Sequence, residues 1–162
     1  MAAEPSEIGL AYPALVDGWA ADAPDATARQ YGEGRISAGD LARSSRAVAA
    51  GLDALGLVAG DRVALWLPNV PAWLTTFIAC ARLGITVVAV NTRFKRTEIE
   101  DLILRTRPRA LILWPDFRGI DFPGILGEID KGVLDSIEVM IVYREGEGHP
   151  ALPAINARAR RG

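Results

Sequence analysis

The sequence has few of the residues that build disulfides, metal centres and acid–base catalysts. Its 162 residues include one cysteine, Cys80, and one histidine, His149. A single cysteine excludes an intramolecular disulfide and a multi-cysteine metal site within these residues. A catalytic histidine needs a second group that holds it, whereas His149 stands beside Pro150 in a segment rich in Gly and Pro. We therefore expect Cys80 to be a core residue and His149 to be a solvated one.

Basic charge and long apolar runs are also scarce. Lysine and arginine total 18 against 20 acidic residues, a net charge of −2, so no global basic field attracts nucleic acid. Residues 83–90 form an uncharged, mainly apolar run of eight residues, whereas a transmembrane helix needs about 20 consecutive apolar residues. The first ten residues carry two acids and no base, unlike a secretory signal. We expect a cytoplasmic protein with no transmembrane segment and no nucleic-acid partner.

Three well-known site motifs are missing as well. The sequence contains no G-x-x-x-x-G-K-[ST] phosphate loop, no G-x-G-x-x-G dinucleotide fingerprint and no G-x-S-x-G nucleophile elbow. No nucleophile or base therefore stands in a credible setting. An independent small enzyme is for this reason the weakest of the functional hypotheses.

The sequence does contain an alternation of short apolar runs and helical patterns. It predicts the order strand–helix–strand–helix–strand–(helix)–strand, which is typical of an α/β fold with a mainly parallel sheet and helices on both faces. We expect an N-terminal helix to about residue 24 and a short hairpin around residues 32–34 to precede this unit. The four predicted strands are residues 62–67, 85–90, 110–114 and 137–143. Residues 85–90 are apolar except for Thr86, which predicts a strand covered on both faces.

Local signals predict where the helices begin. Ser37 and Asp40 fit a capping box, and Thr97 and Glu100 fit a second one. Asn69, after the first predicted parallel strand, is interpreted as a helix cap rather than a ligand contact. We predict an α/β part over residues 1–143, followed over residues 144–162 by a flexible tail or the start of a missing remainder.

One basic cluster stands at a favourable position for binding. Residues 91–96 include Arg93, Lys95 and Arg96, after a predicted strand and before a predicted helix. Ligands of open α/β sheets bind at the carboxyl ends of strands, and cations just before a helix oppose its dipole unless an anion is bound. The cluster therefore indicates either an anion site or an ordinary solvated basic loop, and both readings stay open.

Several blocks of the sequence, in the right order, resemble a known family. Residues 51–69 read GLDALGLVAGDRVALWLPN and residues 79–94 read ACARLGITVVAVNTRF. Both closely resemble the N-terminal region of AMP-forming acyl-CoA synthetases, in the adenylate-forming ligase superfamily. Residues 36–41, 111–114 and 116–119 also fit, although Ala38 and Asp40 depart from the family pattern. The resemblance covers roughly residues 12–143.

The resemblance implies a fold, a chemistry and a set of cofactors. The family activates a carboxylic acid, such as a fatty acid, with ATP and Mg to an acyl-adenylate and then forms the thioester of CoA. Its phosphate loop, magnesium motif, ribose-binding aspartate and catalytic lysine lie downstream of the matched region, and Lys95 and Lys131 match neither family lysine. The resemblance thus implies an N-terminal fragment of a ligase, truncated before the ATP-binding motifs and inactive alone, with no catalytic or metal-binding residue. Arg93, and second Arg96, match the block that reaches the phosphates of CoA in related ligases.

A second hypothesis is a stand-alone α/β binding or interaction module derived from the same scaffold. The expected partner is then a homo-oligomer or a bound molecule, whereas a fragment needs the missing remainder of the ligase. The parent enzyme additionally takes the carboxylic acid and CoA as substrates.

Overall fold

The computed structural model describes residues 5–143 and 156–159. The helices are α1 (Pro5–Asp22), α2 (Ala38–Ala54), α3 (Pro71–Arg82), α4 (Arg96–Thr106), α5 (Phe122–Gly127) and α6 (Lys131–Asp135), with a 3-10 turn at Phe117–Gly119. The strands are β1 (Thr27–Tyr31), β2 (Gly34–Ser37), β3 (Arg62–Trp66), β4 (Thr86–Ala89), β5 (Ala110–Leu113), β6 (Val139–Val142) and β7 (Asn156–Ala159). In the described ranges, no helix combines the length and the apolar character needed to cross a membrane.

Five strands form one sheet in the order β4-β3-β5-β6-β7. The first four run parallel and β7 pairs antiparallel with β6, while β1 and β2 form a separate antiparallel hairpin. The predicted α/β class, N-terminal helix and hairpin are confirmed. Strand β7 lies inside the segment 144–162 that the sequence interprets as a tail; the rest of that segment, with His149, lies outside the described residues, and the boundary at residue 143 stays a prediction.

Helices cover both faces of the sheet because the side chains of its central strand alternate. Val63 and Leu65 of β3 lie in a core shared with α2 and α3. Ala64 and Trp66 lie in a second core shared with α4 and α5. All four side chains are fully buried. A continuous apolar strand with helices on both faces is the arrangement expected for a parallel sheet.

Strand β4 is less covered than its sequence predicts. Thr86 and Ala89 are exposed, while Val87 and Val88 are half-buried. The prediction of a strand covered on both faces is wrong here, because β4 lies at the edge of the sheet formed by the described strands. An apolar run alone does not distinguish an edge strand from a central one.

The two predicted helix starts have different outcomes. The Ser37 hydroxyl accepts a hydrogen bond from the Asp40 N–H at 3.1 Å and caps α2, as predicted. It also donates to the Asp40 carboxylate, which thus does not reach back to the backbone of residue 37. The second box at Thr97 and Glu100 is wrong by two residues: α4 starts after Lys95, whose N–H donates to the Glu98 carboxylate at 3.0 Å. The helix thus starts with the expected pair, an N-cap residue and a glutamate three positions later, but the pair is Lys95 and Glu98.

An ion-pair network holds α1 on the rest of the molecule. The Arg82 guanidinium of α3 donates two hydrogen bonds to the Asp17 carboxylate of α1, at 2.8 and 2.6 Å. Arg82 also donates to the Ser45 hydroxyl of α2 at 3.0 Å, and Arg46 lies 2.9 Å from Asp17. Hydrogen bonds from Arg82 are the main cause of a lowered pKa of the Asp17 carboxyl. Asp17 therefore joins three helices through its charge.

Replacing Asp17 with Asn is expected to lower the free energy of unfolding by about 1–2 kcal/mol at pH 7, since hydrogen bonds to charged groups contribute about that much and the pair is partly solvated. Because the pKa of Asp17 in the folded chain lies below its ordinary value of 3.8, the contribution of the charge is complete above pH 3.8 and disappears as the pH falls through the folded-state pKa. Urea unfolding followed by circular dichroism at pH 7 and at pH 2.5 measures both effects.

The matched control is Asp22→Asn on the same helix, which is exposed and is expected to change stability by less than about 0.5 kcal/mol. Equal losses in the two variants would show that the Asp17 network does not hold α1.

Candidate functional site

The chain reverses its direction across the sheet next to β3. Strand β4 pairs with one side of β3 and β5 with the other. The helix after β3, α3, packs on one face, and the helix after β5, α5, packs on the opposite face. The loops at the carboxyl ends of β3 and β5 therefore separate, which in open α/β sheets leaves a crevice where ligands bind.

A cavity of about 550 Å³ lies at this crevice. Its volume falls within the range of roughly 300–1,000 Å³ typical of small-molecule sites. It is formed by the hairpin, the loops after β3 and β4, and the 3-10 turn after β5. Its lining residues are Tyr31, Leu67, Pro68, Asn69, Trp73, Ala89, Val90, Asn91, Thr92, Phe117 and Arg118.

Three aromatic side chains give the cavity flat apolar walls. They are Tyr31, Trp73 and Phe117, which come from separate elements. Trp73 is stacked on Phe77 with ring centroids 5.6 Å apart and planes 12° apart. The Trp114 ring packs against Phe117, with ring centroids 5.0 Å apart. Walls of this kind suit a planar ring or an apolar chain.

The polar lining is biased toward anions. Of the eleven residues that line the cavity, Arg118 is charged and none is acidic. The Arg118 guanidinium lies 5.3 Å from the centroid of the Phe117 ring. Asn69, Asn91 and Thr92 add amide and hydroxyl groups. A cation without a facing carboxylate is available to pair with an anionic ligand.

At the opposite end of the sheet, the charge of Arg109 is paired within the chain. The Arg109 guanidinium donates to the carboxylates of Asp61 and Glu138, at 2.9 and 2.8 Å. The pKa of the Asp61 carboxyl is lowered, chiefly because it accepts a hydrogen bond from the Val58 N–H. Desolvation opposes this shift, and the hydrogen bond from Arg109 adds to it. Among the side chains described in residues 12–143, neither Arg93 nor Arg118 has such an ion-pair partner. At the carboxyl edge of the sheet, Arg93 and Arg118 are therefore the cations that stay available to an anionic ligand, whereas Arg96 is paired with Glu100.

Backbone strain occurs at the cavity wall. Arg118 has φ of 52° and thus adopts the left-handed conformation that a side chain disfavours. Gly119 follows with φ of 74°, which glycine adopts readily. Strained residues of this kind occur where the surrounding structure holds a side chain in a set position.

The two arginines predicted from sequence lie beside the cavity rather than in its lining. Arg93 is exposed in the loop between β4 and α4, and its N–H donates to the Asn91 side-chain oxygen at 2.9 Å. Arg96 is the first residue of α4 and pairs with Glu100 at 3.3 Å. Arg93 directly follows the lining residue Thr92 in the sequence, whereas the Arg96 side chain is paired with Glu100. Contact of either residue with CoA stays a prediction.

The loop after β4 is held in place from the core. The Trp66 indole N–H donates to the Asn91 carbonyl at 3.1 Å. The Trp66 ring in turn meets Phe122 edge-on, with centroids 4.5 Å apart. A fully buried side chain thus sets the position of a residue that lines the cavity.

Asn69 has a different role from the one predicted. The residue that precedes α3 is Val70, which makes no side-chain cap, and Pro71 occupies the first turn. Asn69 is exposed and lines the cavity, and its carbonyl accepts a hydrogen bond from Arg29 at 3.1 Å. The interpretation as a helix cap is wrong because the helix begins one residue later. Proline has no N–H and is well suited to this first turn.

The described residues contain no metal centre and no activated thiol. In residues 5–143 and 156–159, no three His, Cys, Asp or Glu side chains are close enough to share a metal ion. Cys80 is fully buried in the core between the sheet and α3. Burial raises the pKa of its thiol to about 12, so the thiolate that reacts as a nucleophile is absent at neutral pH. The prediction of Cys80 as a core residue is confirmed.

Sequence reasoning missed Arg118, Trp73 and Tyr31 as lining residues. Trp73 lies at helical spacing among apolar residues and Tyr31 stands next to a glycine turn, so the local sequence marks neither as a ligand contact. Arg118 follows the carboxyl end of a predicted strand, which is where ligands of open α/β sheets bind. This signal points to Arg118 in particular only once the strand order is known, because that order places β5 beside β3.

Comparison with known proteins identifies a family. Residues 16–158 match the family described as AMP-binding enzyme.

Two relatives show the extent of the match. A methyl-dioxo-octahydroindenyl-propanoyl:CoA ligase of Mycobacterium tuberculosis is 35% identical over 109 residues, which cover 67% of this chain and 22% of the ligase. The acetyl-coenzyme A synthetase of Methanothrix soehngenii is 33% identical over 114 residues, which cover 68% of this chain and 17% of that enzyme.

The fold is also similar to that of a solved structure. The crystal structure of an anthranilate CoA ligase in complex with anthranoyl-AMP matches with a TM-score of 0.71 and 24% identity. The match covers 81% of this chain and 24% of that one. The matched part of the chain thus spans about a quarter or less of each of these three proteins.

The strain at Arg118 is testable by comparing Arg118→Gly with Arg118→Ala. Both variants remove the guanidinium and its contact with Phe117, but glycine adopts a φ of 52° without the steric cost that alanine has there. We expect Arg118→Gly to be the more stable by about 1 kcal/mol, measured by urea unfolding. Equal stabilities would show that the backbone at residue 118 is unstrained in solution.

Proposed function

Because this chain belongs to the family of AMP-binding enzymes, we propose that it forms the amino-terminal α/β part of an ATP-dependent acid:CoA ligase. Family membership over residues 16–158 carries the proposal. The two relatives named above are a CoA ligase and a CoA synthetase, which supports the CoA branch of the family. The acyl group is a carboxylic acid, with fatty acids as the first class to examine.

The proposed reaction has two steps. A carboxylate oxygen of the acid attacks the α-phosphorus of ATP, and pyrophosphate leaves to give the acyl-adenylate. The sulfur of CoA then attacks the acyl carbonyl, its thiol proton is lost, and AMP leaves. The first step needs donors and a cation that hold the phosphates as charge develops.

The residues of this chain contribute to the second step through anion binding. We assign contacts with the phosphates of CoA to Arg93 first and Arg96 second. The cavity adds Arg118, which has no acidic neighbour in the lining. Its aromatic walls suit the base of a nucleotide. Of the three arginines, Arg96 is the least available because Glu100 already pairs with it.

Magnesium binding is not assigned to this chain. The described residues do not bring three acidic or other ligating side chains together, and the sequence has no phosphate loop of the G-x-x-x-x-G-K-[ST] type. ATP and Mg are therefore proposed to bind residues outside this chain. These 162 residues alone are then without adenylation activity.

A stand-alone binding module is the second candidate. It is favoured by one observation: the cavity of about 550 Å³ is formed by described residues of this chain alone. Such a module binds an anionic ligand without turning it over. Two results together favour this candidate. CoA binding changes the tryptophan fluorescence, and Trp73→Phe removes that change. No longer form of the protein releases pyrophosphate.

The absence of adenylation is directly testable. We expect the purified 162 residues to release no pyrophosphate above the protein-free blank when supplied with ATP, Mg and a series of carboxylic acids. A coupled pyrophosphate assay measures this, with an active ligase of the family as positive control. Acid-dependent pyrophosphate release by the short chain would contradict the assignment of the ATP site to residues outside it.

The CoA contacts are testable in a ligase that contains these residues. Arg93→Ala and Arg118→Ala are each expected to raise the KM for CoA about tenfold, the effect of losing one hydrogen bond to a charged group. Acid-dependent ATP–pyrophosphate exchange, which precedes CoA binding, is expected to be unchanged.

Arg105→Ala is the control, since Arg105 is exposed and pairs with Asp101 on α4, away from the cavity. Equal loss of exchange and of thioester formation in Arg93→Ala would show that Arg93 has a structural role.

A further inference from the structure

The hairpin that forms one wall of the cavity is a separate element of the fold. Strands β1 and β2 pair with each other and not with the main sheet, and a two-stranded hairpin by itself is only marginally stable. At the base of the hairpin, the Ala38 N–H donates to the Ala26 carbonyl at 2.9 Å, and Ile36 is buried against α2 and α3. Tyr31, which lines the cavity, is the last residue of β1 and lies toward the tip. Its position therefore depends on contacts farther from the base.

The Arg29 side chain makes such a contact. Its Nη2 donates a hydrogen bond to the Asn69 carbonyl at 3.1 Å, across 40 positions of sequence. Asn69 belongs to the loop between β3 and α3 and also lines the cavity. The hydrogen bond thus joins two elements that face the same cavity, the hairpin and the loop after β3.

The strand register places Arg29 and Tyr31 on one face of the hairpin. The pairing is regular from Arg29 to Tyr31, and side chains two positions apart on a strand point to the same side. Arg35 pairs with Gln30, so it lies on the opposite face. The contact of Arg29 with the loop after β3 is therefore made on the face from which Tyr31 reaches the cavity.

Arg29 makes this contact at an energetic cost. Among the side chains described between residues 12 and 143, it has no carboxylate partner. Its Nε is buried and has no hydrogen-bond partner among the described residues. A buried donor on a charged group is unfavourable without a partner, and a neutral side chain would avoid that cost. The stability of the fold alone therefore does not account for an arginine here.

We propose that Arg29 is a positioning residue of the cavity, which binds the Asn69 carbonyl and thereby holds the Tyr31 wall in place for the ligand. Arg29 is not among the lining residues, so it acts through Tyr31 rather than by contact with the ligand. A wall that is fixed before the ligand arrives lowers the entropic cost of binding. The identity of the ligand, CoA, rests on the proposed function, whereas the position of the wall does not.

Acrylamide quenching of Trp73 fluorescence in the full 162-residue chain tests the wall without any ligand. Trp73 and Tyr31 line the same cavity, so a displaced wall exposes the indole. Its signal is the part of the fluorescence that Trp73→Phe removes in each variant. We expect Arg29→Gln, whose shorter side chain does not reach the Asn69 carbonyl, to raise the quenching constant of Trp73 about twofold, because the loop and the hairpin lose their hydrogen bond.

The matched control is Arg35→Gln, the same substitution on the opposite, exposed face of the hairpin, and it is expected to leave the quenching unchanged. Arg29→Lys keeps a charged donor and is expected to restore most of the protection. Arg29→Met removes the donor but keeps an unbranched apolar side chain, and it replaces Arg29→Gln if that variant does not fold. Unchanged quenching in the folded variant without the donor, or an equal rise in Arg35→Gln, would overturn the proposal.

Calorimetric titration of CoA tests whether Arg29 acts through Tyr31. Arg29→Gln and Tyr31→Ala are each expected to weaken CoA binding about tenfold, and the double variant is expected to be within about twofold of Tyr31→Ala, because residues that act as one unit are not additive. Effects that multiply would show that Arg29 acts independently of Tyr31, which contradicts the proposal. If the unaltered chain binds no CoA, the assignment of CoA in the proposed function fails, and the quenching result alone decides whether Arg29 holds the wall.

Discussion

The position of β3 between two parallel neighbours is the constraint on which the rest of the structure depends. Its backbone is hydrogen-bonded to β4 on one side and to β5 on the other. Its side chains alternate between two separate cores, so both faces must be covered by helices. The crossovers that satisfy this requirement leave β3 and β5 in different directions. The cavity at their carboxyl ends is a direct consequence of this topology.

The same arrangement places polar and charged groups at the carboxyl edge of an otherwise apolar sheet. Trp66 is fully buried, yet its indole N–H holds the carbonyl of Asn91 at the cavity. Arg118 is held at the wall in a left-handed conformation. At the amino edge, Arg109 is neutralised by Asp61 and Glu138. The Arg118 guanidinium at a cavity wall whose lining has no carboxylate supports assigning anion binding to the carboxyl side. The Asp17–Arg82 pair keeps α1 packed on α3.

Much of the fold was predictable because its signals are local. The Ser37 cap and the hairpin at residues 32–34 depend on neighbouring residues, and both were found. Errors arose where the outcome depends on distant parts of the chain. The apolar run of β4 does not reveal that it is an edge strand, and Pro71 moved the start of α3 past Asn69. The prediction of Thr97 instead of Lys95 as the N-cap of α4 is a local error. Both residues are followed three positions later by a glutamate, so the capping-box pattern fits either one.

The sequence by itself determined the α/β class, the family resemblance, the burial of Cys80 and the basic loop with Arg93 and Arg96. These follow from composition, periodicity and short motifs, which act over a few residues. Only the tertiary structure decided that Arg118, Trp73 and Tyr31 meet in one cavity, and that Arg96 is paired with Glu100. The lining residues come from a hairpin, a helix and a turn up to 87 positions apart, from Tyr31 to Arg118. Strand order brings them together, and strand order is set by packing of the whole chain rather than by any local pattern.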